Sequence, residues 1–352
     1  MTVTVLGAGS WGLALAQLLH QRERPVRLWA RRPEVARELA LRRHHPVYLP
    51  LLALSEAITV TADLEAALVG AHVVVLAVPT TGMRQVAGAA SPFLSTASLV
   101  VSAGKGLEPD TGLTMTTVLR GVLPEQLHAH LAVLGGPNIA HEVAAGLPSA
   151  AVLAASDDST AHDALRQLAA PGWRLYSSRD PLGVEVAGAL KNVVAIAAGI
   201  CDGLGVGDNA KAALMTRGLA EMTRLGVRVG ANPFTFGGLA GVGDCLVTCM
   251  SPHSRNRQLG EALGRGASAA EVRDQGPMVV EGVNVARAAV GLAQRHRVEL
   301  PITQEVHALL FQGKTVADAA RDIMQRDLRP ELVPQDLGLP APRGQAADVP
   351  RQ

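Results

Sequence analysis

Short apolar runs alternate with helix-forming segments through the first half of the chain. The runs lie at residues 3–6, 26–30, 58–61, 72–78, 99–102, 131–134, 150–154 and 173–176. Each has the length of a buried strand, and segments such as 33–42 between them have the composition of helices. This alternation predicts a mostly parallel, doubly wound α/β sheet, whose ligand should lie at the carboxyl ends of the strands.

The pattern changes near Pro181. Residues 184–200 are apolar almost all round, and Glu185, Lys191 and Asn192 are their only polar side chains. This is typical of a helix buried inside a domain. Further helices are predicted at 208–226 (capped by Asp208), 255–263, 279–295, 303–311 and 315–327.

This change in pattern divides the chain into three predicted parts. We predict a dinucleotide-binding domain at 1–182 and a helical substrate domain at 183–327. The tail at 328–352 holds five prolines and no aromatic residue, which predicts a disordered or loosely draped segment.

The first strand runs into Gly7-Ala8-Gly9-Ser10-Trp11-Gly12, and a helix-forming segment follows. In such a turn Gly7 permits the tight bend, Gly9 lets the backbone approach a pyrophosphate, and Gly12 lets helix and strand pack closely. The helix N-terminus then offers free N–H groups to the phosphates. The alternative is an ordinary glycine-rich turn, but the strand–turn–helix order favours a dinucleotide.

The residues after the second strand bear on the choice of cofactor. An acidic residue there suits the ribose 2′-OH of NADH, whereas an arginine suits the 2′-phosphate of NADPH. This chain has Arg31 and Arg32, and Glu34 is the nearest acid. NADPH is therefore favoured over NADH, unless the two arginines simply begin a solvated helix.

Composition narrows the class of protein. A net charge of +1 argues against a broad nucleic-acid surface. The cysteines, Cys201, Cys245 and Cys249, show no metal-binding spacing with histidines, which fits a metal-free protein in a reducing, cytoplasmic compartment. The first strand begins at once and no apolar run approaches the ~20 residues of a membrane span, so we expect neither a signal peptide nor a membrane span.

Lysine is rare in this chain. It occurs only at Lys105, Lys191, Lys211 and Lys314, against 28 arginines. A lysine kept against that bias is a candidate for work that arginine cannot do, such as giving up a proton. Lys191 is the strongest candidate, because an ammonium group in an apolar helix needs a function or a partner. It could protonate a carbonyl oxygen, pair with Asp244 for structure, or do both.

Three further segments could bind an anion. Lys105 lies between Gly104 and Gly106 just past a predicted strand, where it could reach an anion or remain on the surface. The turn at 135–138 could present N–H groups or only redirect the chain. The block at 254–257, Ser-Arg-Asn-Arg, opens a predicted helix, which suits a phosphate or an exposed basic turn.

Taken in order, these segments resemble the bacterial NAD(P)-dependent glycerol-3-phosphate dehydrogenases. The resemblance runs from residue 5 to about residue 303, and the lysine segment and the SRNR block are its most specific parts. The matching stretches are GAGSWGLALA, VYLP, SAGKGLE, GGPNIAHEV, EVAGALKNVVAIAAGICDGLGVGDNAKAALMTRGLAEM, GLAGVGD, TCMSPHSRNR, VVEGV and PIT.

The resemblance implies a Rossmann-type N-terminal domain and an all-α C-terminal domain like that of 6-phosphogluconate dehydrogenase. It implies reversible reduction of dihydroxyacetone phosphate to sn-glycerol 3-phosphate with NADPH or NADH, feeding phospholipid synthesis. The partner would be this small-molecule substrate, with a possible homodimer. The family ends near residue 327, so the tail is an extension.

The resemblance also assigns residues. Lys191 matches the proton donor, and Lys105, Asn192, Asp244 and Thr248 match residues around the reacting carbonyl. The matching substrate contacts are Gly136, Asn138, Ser254, Arg255 and Asn256, together with Lys105, Lys191 and Asp244. The matching cofactor positions are Gly7, Gly9, Ser10, Trp11, Gly12, Arg31, Arg32, Tyr48, Lys105, Ala140, Arg255, Val279 and Glu281. Many bacterial members carry Ser or Thr where this chain has Asn138, which leaves the detail of that contact open.

Two other functions compete. A 3-hydroxyacid or ketopantoate-type reductase would share the two-domain plan but bind a carboxylate, whereas the SRNR block and the Gly104-Lys105-Gly106 turn favour a phosphate. A non-catalytic NADPH-binding sensor would not need the buried lysine, yet both Lys191 and Asp244 are present.

Overall fold

The chain folds into a Rossmann-type α/β domain followed by a helical domain. The structure, a computed structural model, describes residues 1–22, 24–273, 280–327, 330–331 and 334. The strands are β1 Val3–Leu6, β2 Val26–Trp29, β3 Ile58–Thr61, β4 Val73–Leu76, β5 Leu99–Ser102, β6 Leu131–Gly135, β7 Ser149–Ala155 and β8 Trp173–Ser178. The helices are α1 Ser10–His20, α2 Pro33–Arg42, α3 Leu64–Leu68, α4 Met83–Ala90, α5 Met115–Arg120, α6 Ala140–Ala144, α7 Asp158–Leu168, α8 Pro181–Leu204, α9 Asp208–Arg228, α10 Pro233–Phe236, α11 Asp244–Met250, α12 Arg255–Gly264, α13 Ala269–Arg273, α14 Glu281–His296, α15 Pro301–Phe311 and α16 Val316–Met324.

The strands form one eight-stranded sheet in the order β3-β2-β1-β4-β5-β6-β7-β8. Only β6 and β7 pair in antiparallel fashion, and the other neighbours in this sheet are parallel. The prediction of a mostly parallel, doubly wound sheet is confirmed. The strand order reverses between β1 and β4, which is where open sheets of this kind bind their ligands.

Both faces of the sheet are covered, which explains why its central strands are buried throughout and largely apolar. On one face, side chains such as Leu13 and Leu19 of α1 pack against Val5 of β1. On the other, Met83 of α4 and Val118 of α5 pack against the opposite side chains of the sheet. All four residues of β1 and of β4 are buried, as expected for parallel strands between two helical layers.

The helical domain is built around α8. Every residue of α8 from Gly183 to Ile200 is buried, and α9, α11, α12 and α14 pack around it. Two ionisable side chains on this helix, Glu185 and Lys191, are therefore buried in the core.

Several predicted boundaries need correction. Asp208 is the first residue of α9, not its cap, which is Gly207. The last helix covers Val316–Met324, and Thr315 caps it by accepting a hydrogen bond from Asp318 N. The helix predicted from 279 begins at Glu281, while Val279 lies outside the described residues, as does most of the predicted tail at 328–352. The domain boundary at 182/183 stays a prediction; it falls in the first turn of α8, after β8 ends at Ser178.

The expectation that no segment has the length of a membrane span was too strong. Among the described residues, Pro181–Leu204 and Pro233–Met250 are long and apolar enough by length and composition alone. In the first of these segments, 94% of the 18-residue apolar stretch is buried inside the protein. The apolarity of α8 is thus accounted for by its place in the core.

Candidate active site

The glycine turn after β1 has the geometry that its spacing predicts. Gly7 has φ +115°, in the region that favours glycine, and its N–H donates to Trp29 O at 3.0 Å, beside the end of β2. A Cβ on Gly12 would lie 1.8 Å from Gly7 O, so only glycine lets α1 pack this closely on the turn. At Gly9 a Cβ would meet nothing within 4 Å, which leaves open space over the turn.

This turn fits the phosphates of a dinucleotide. Gly9 is the N-cap of α1 and provides no side-chain hydrogen bond to the helix, so N–H groups of the first turn remain available. The indole Nε1 of Trp11 is buried and has no hydrogen-bond partner among the described residues. A buried donor of this kind is costly unless an acceptor reaches it.

The other predicted cofactor residues of the Rossmann-type domain lie on separate segments. Arg31 and Arg32 are exposed directly after β2, and Arg32 Nε lies 3.9 Å from Glu34 Oε1. Ala140 is the first residue of α6, which packs on α1. The ring of Tyr48 lies 4.6 Å from that of His45.

The chemical centre joins two lysines through one carboxylate. Lys105 Nζ donates to Asp244 Oδ2 at 2.7 Å, and Lys191 Nζ donates to Asp244 Oδ1. Asp244 is 1% exposed, and the side chains of Lys105 and Lys191 are 18% and 7% exposed. Lys105 comes from the loop after β5 at the carboxyl edge of the sheet, whereas the other two residues come from the helical domain. The site therefore forms where the domains meet.

Local backbone structure positions Asp244. A π-helical turn at Leu239–Gly243 leads into α11, whose first residue is Asp244. Gly243 N donates to Gly238 O at 3.2 Å in the turn, and a Cβ on Gly241 would lie 2.1 Å from Phe236 O. Turns of this kind are rare in proteins overall, but many of those known occur at functional sites. The glycines of the GLAGVGD segment make this turn possible.

Thr248 and Asn192 complete the polar cluster around Lys191. Lys191 Nζ donates to Thr248 Oγ1 at 2.8 Å, one turn after Asp244 on α11. Asn192 Nδ2 donates to Lys105 O at 3.0 Å and to Gly188 O at 3.2 Å. The amide of Asn192 thus ties α8 to the loop that carries Lys105.

Burial changes the proton affinity of Lys105. Burial lowers its pKa to about 8, with the attraction of Asp244 opposing the change and the charge of Lys191 adding to it. A lysine with such a pKa can exchange its proton near neutral pH, and its charge depends on Asp244.

In the turn after β6, the backbone of Gly136 contacts the site, whereas the side chain of Asn138 is used in hydrogen bonds within the domain. Gly136, with φ +99°, accepts hydrogen bonds through its carbonyl from Lys105 Nζ at 2.7 Å and from Asn138 Nδ2 at 3.1 Å. Asn138 Nδ2 also donates to Ala150 O, and its Oδ1 accepts from Trp173 Nε1 at 2.9 Å. The Asn138 side chain therefore braces the turn against β7 and β8.

The SRNR block forms the first turn of α12. Ser254 is the N-cap, and its Oγ accepts from Arg257 N at 3.3 Å. Asn256 Nδ2 donates to Asn192 Oδ1 at 2.9 Å, and Asn256 Oδ1 accepts from Gly282 N at 2.9 Å. The side chain of Arg255 remains exposed, although partial burial lowers its pKa against the opposing charge of Glu281.

Glu281 connects the two domains. Its carboxylate accepts from Thr80 N at 3.1 Å and from Thr80 Oγ1 at 2.7 Å. Burial raises the pKa of Glu281, with the Thr80 hydrogen bonds and Arg255 opposing the change. Sequence reasoning missed Thr80, although its place after the carboxyl end of β4 was a signal. It also missed Trp173, for which no such signal exists.

The arrangement can bind an anion and exchange a proton. Two ammonium groups meet on one carboxylate, and Asn256 links the first turn of α12, which carries the exposed guanidinium of Arg255, to Asn192 beside Lys191. Within the described ranges, no group of three or more His, Cys, Asp or Glu side chains could hold a metal ion.

Comparisons with known proteins agree with this geometry. A family model for the N-terminus of NAD-dependent glycerol-3-phosphate dehydrogenase matches residues 2–161, and one for its C-terminus matches residues 180–321. The glycerol-3-phosphate dehydrogenase (NAD(P)+) of Moorella thermoacetica is 47% identical over 325 residues, which cover 92% of this chain and 96% of that protein. A similarly named protein of Salinibacter ruber is 46% identical over 330 residues, covering 94% of this chain and 97% of that protein.

Solved structures of other proteins are also similar to this chain. The crystal structure of glycerol-3-phosphate dehydrogenase from Coxiella burnetii matches with a TM-score of 0.87 and 35% identity, covering 92% of this chain and 99% of that one. A ketopantoate reductase from Ralstonia eutropha matches with a TM-score of 0.56 and 19% identity, covering 88% of this chain and 97% of that one. The second likeness shows a shared fold alone.

Proposed function

The chain belongs to the NAD-dependent glycerol-3-phosphate dehydrogenase family, and from this premise we propose that it reduces dihydroxyacetone phosphate reversibly to sn-glycerol 3-phosphate. The observation that carries the proposal is the pairing of Lys105 and Lys191 on Asp244 where the two domains meet. The enzyme is an oxidoreductase that uses NAD(P), in line with its relatives.

Lys191 acts as the general acid in this proposal. The bound nicotinamide supplies the hydride, and the carbonyl oxygen of the substrate gains negative charge as the hydride arrives. Lys191 Nζ donates a proton to that oxygen, and in the reverse reaction it takes the proton from the hydroxyl group. Asp244 and Thr248 orient the ammonium group by accepting its hydrogen bonds.

A second set of residues binds the phosphate. Arg255 and the N-terminus of α12 provide donors and positive charge, and Lys105 adds an ammonium group from the other domain. Asn256 and Ser254 hold this turn through their own hydrogen bonds. Because the side chain of Asn138 is committed to Gly136, Ala150 and Trp173, the turn at 135–138 contacts the substrate through its backbone.

The glycine turn binds the pyrophosphate, and NADPH is preferred to NADH. The open space over Gly9 and the unpartnered Nε1 of Trp11 support the first statement. Exposed arginines at positions 31 and 32, directly after β2, support the second. The reaction needs no metal, since Lys191 supplies the acid.

The rival functions have less support. A ketopantoate-type reductase shares the fold but binds a carboxylate, whereas the exposed Arg255 in the first turn of α12 suits a phosphate. A non-catalytic sensor would not need an ammonium group that is buried on a carboxylate. The product, sn-glycerol 3-phosphate, would feed phospholipid synthesis.

Cellular location and assembly are also proposals. Three free thiols, one partly and two fully buried, suit a reducing cytoplasm. A groove of about 400 Å³ between α9 and α11, bordered by exposed Leu246 and Met250, suits a contact within a homodimer. Light scattering of the purified protein would test the dimer.

The test of the function is direct. Purified protein is mixed with dihydroxyacetone phosphate and with NADH or NADPH, and the loss of reduced-nicotinamide absorbance is followed. Turnover supports the reaction, and the ratio of the two kcat/KM values decides the cofactor preference. A folded protein that binds NADPH but turns over neither mixture would overturn the substrate assignment.

A further inference from the structure

The fourth residue of the SRNR block points away from the proposed substrate site. Arg257 Nε donates to Asp202 Oδ2 at 2.6 Å, near the C-terminal end of α8. Lys211 Nζ donates to the same carboxylate at 2.7 Å to Oδ1 and 2.8 Å to Oδ2. All three side chains are at most 20% exposed. This cluster, Asp202, Lys211 and Arg257, joins α8, α9 and α12.

The three charges oppose the preferences of their own helices. Asp202 lies in the last turn of α8, whereas Lys211 and Arg257 lie in the first turns of α9 and α12. An acid near a helix C-terminus and a base near a helix N-terminus are each unfavourable, because they lie at the end of the helix dipole that carries a partial charge of their own sign. The cluster is therefore not explained by the stability of single helices, and it points to a role in fixing the helices relative to one another.

The backbones of α8 and α12 are in direct contact beside this cluster. A Cβ on Gly260 would lie 1.9 Å from Ile196 O, and one on Gly264 would lie 2.5 Å from Ile200 O. From the other side, a Cβ on Gly199 would lie 2.0 Å from Arg257 O. Backbone approach of this kind needs glycine on both helices, as in small-xxx-small packing.

The contacts keep one register. Asn192 pairs with Asn256, Ile196 with Gly260, and Ile200 with Gly264, and the members of each pair are 64 residues apart in sequence. The two helices therefore run parallel in a fixed axial alignment. Helix α8 carries Lys191, and the first turn of α12 carries Arg255.

We propose that Arg257, held by Asp202 and by Glu261 Oε2 at 3.3 Å, is a positioning residue that sets the distance between the phosphate-binding turn of α12 and Lys191. The inference rests on the proposed function and deepens it. With the distance fixed, the enzyme selects a short ketone whose phosphate is joined to the carbonyl carbon through one CH₂–O unit. A substrate without a phosphate does not use this alignment.

The test compares two substrates in the same variants. Dihydroxyacetone phosphate uses both the turn of α12 and Lys191, whereas dihydroxyacetone uses only Lys191. In Asp202→Asn and in Arg257→Gln, kcat/KM for dihydroxyacetone phosphate should fall by about tenfold to a hundredfold, the cost of a small misplacement. The kcat/KM for dihydroxyacetone and the Kd of NADPH should stay near their original values. Arg257→Lys keeps the charge and should recover part of the loss.

The helical domain offers a control outside this cluster. Arg321 of α16 pairs with Asp318, and its side chain is 55% exposed, so Arg321→Gln should leave both substrates unaffected. Equal losses for the two substrates in the Arg257 and Asp202 variants would indicate a purely structural role and overturn the inference. An unchanged kcat/KM for dihydroxyacetone phosphate in folded Arg257→Gln would also overturn it.

Two further readouts separate this inference from the proposed function. If Asp202→Asn does not fold, folded Arg257→Lys and Arg257→Gln carry the comparison. Calorimetry with sn-glycerol 3-phosphate and with glycerol reports the alignment without turnover; the variants should weaken only the phosphorylated ligand. Lack of turnover by the unaltered enzyme refutes the proposed function, whereas equal binding by the variants and the unaltered enzyme refutes the positioning role alone.

Discussion

Replacing Asp244 with asparagine tests which of the two lysines depends on the carboxylate to keep its proton. The substitution keeps the size of the side chain and one carbonyl oxygen but removes the charge that both ammonium groups contact. Lys105 and Lys191 would then face each other without the carboxylate between them. Since all three groups are largely buried, one lysine must give up its proton.

We expect Lys105 to lose its proton in this variant, because burial already lowers its pKa. At a separation of about 4 Å and an effective dielectric of about 20, the attraction of one ammonium–carboxylate pair is about 4 kcal/mol. Each 1.36 kcal/mol corresponds to about one pH unit in proton affinity. Burial already lowers the pKa of Lys105 to about 8, so the loss of Asp244 should lower that pKa further, and we expect Lys105 to lose its proton near neutral pH.

This assignment predicts a specific kinetic result. A hydrogen bond to a charged group contributes about 1.5–3 kcal/mol, so the KM for dihydroxyacetone phosphate should rise by about 10- to 100-fold at pH 7.5. The kcat should fall less, and the KM should recover as the pH is lowered and Lys105 regains its proton. In the unaltered enzyme the same rise in KM begins only above about pH 8.

Steady-state kinetics of Asp244→Asn between pH 6 and 9 provide the assay. Lys105→Met is the matched control, because it removes the same charge permanently and should show a raised KM without recovery at low pH. The reasoning is wrong if Asp244→Asn loses kcat at every pH while its KM is unchanged. In that case Lys191, not Lys105, is the group that depends on the carboxylate.

Three other predictions follow from the site and the core. Lys191→Ala should lower kcat by about 10²–10⁴ with little change in NADPH affinity; a loss of NADPH affinity in a binding titration would contradict its role as the acid. The double change Arg31→Ala, Arg32→Ala should raise the KM for NADPH far more than that for NADH, and equal losses would mean that the arginines do not contact the 2′-phosphate. Burial raises the pKa of Glu185 from 4.5 to about 7, so its protonated form stabilises the fold fully below pH 4.5 and this contribution is lost as the pH rises through about 7. Thermal unfolding should therefore show a steeper decline in stability between pH 4.5 and 7 for the unaltered protein than for Glu185→Gln, and parallel curves would rule this out.

Local sequence patterns were sufficient for the architecture. All eight apolar runs became strands, and the central ones, such as β4 and β5, are buried between two helical layers, which is why they are largely apolar. The spacing of Gly7, Gly9 and Gly12 predicted the turn, because Gly7 and Gly12 each meet a steric requirement within one strand–turn–helix unit, and Gly9 leaves open space above it. The polar interruption of α8 likewise singled out Lys191, since a charge within an apolar helix is a local anomaly.

Contacts between distant segments were decided only by the tertiary structure. The sequence left Lys105 open between an anion site and a surface turn; its bond to Asp244 spans 139 residues. It did not foresee that Thr80 would bind Glu281 across 201 residues, that Trp173 would hold Asn138, or that Arg257 would turn to Asp202. The physical reason is that periodicity and spacing report the burial of a residue within its own element, whereas the partner of a buried polar group depends on which elements the fold brings together.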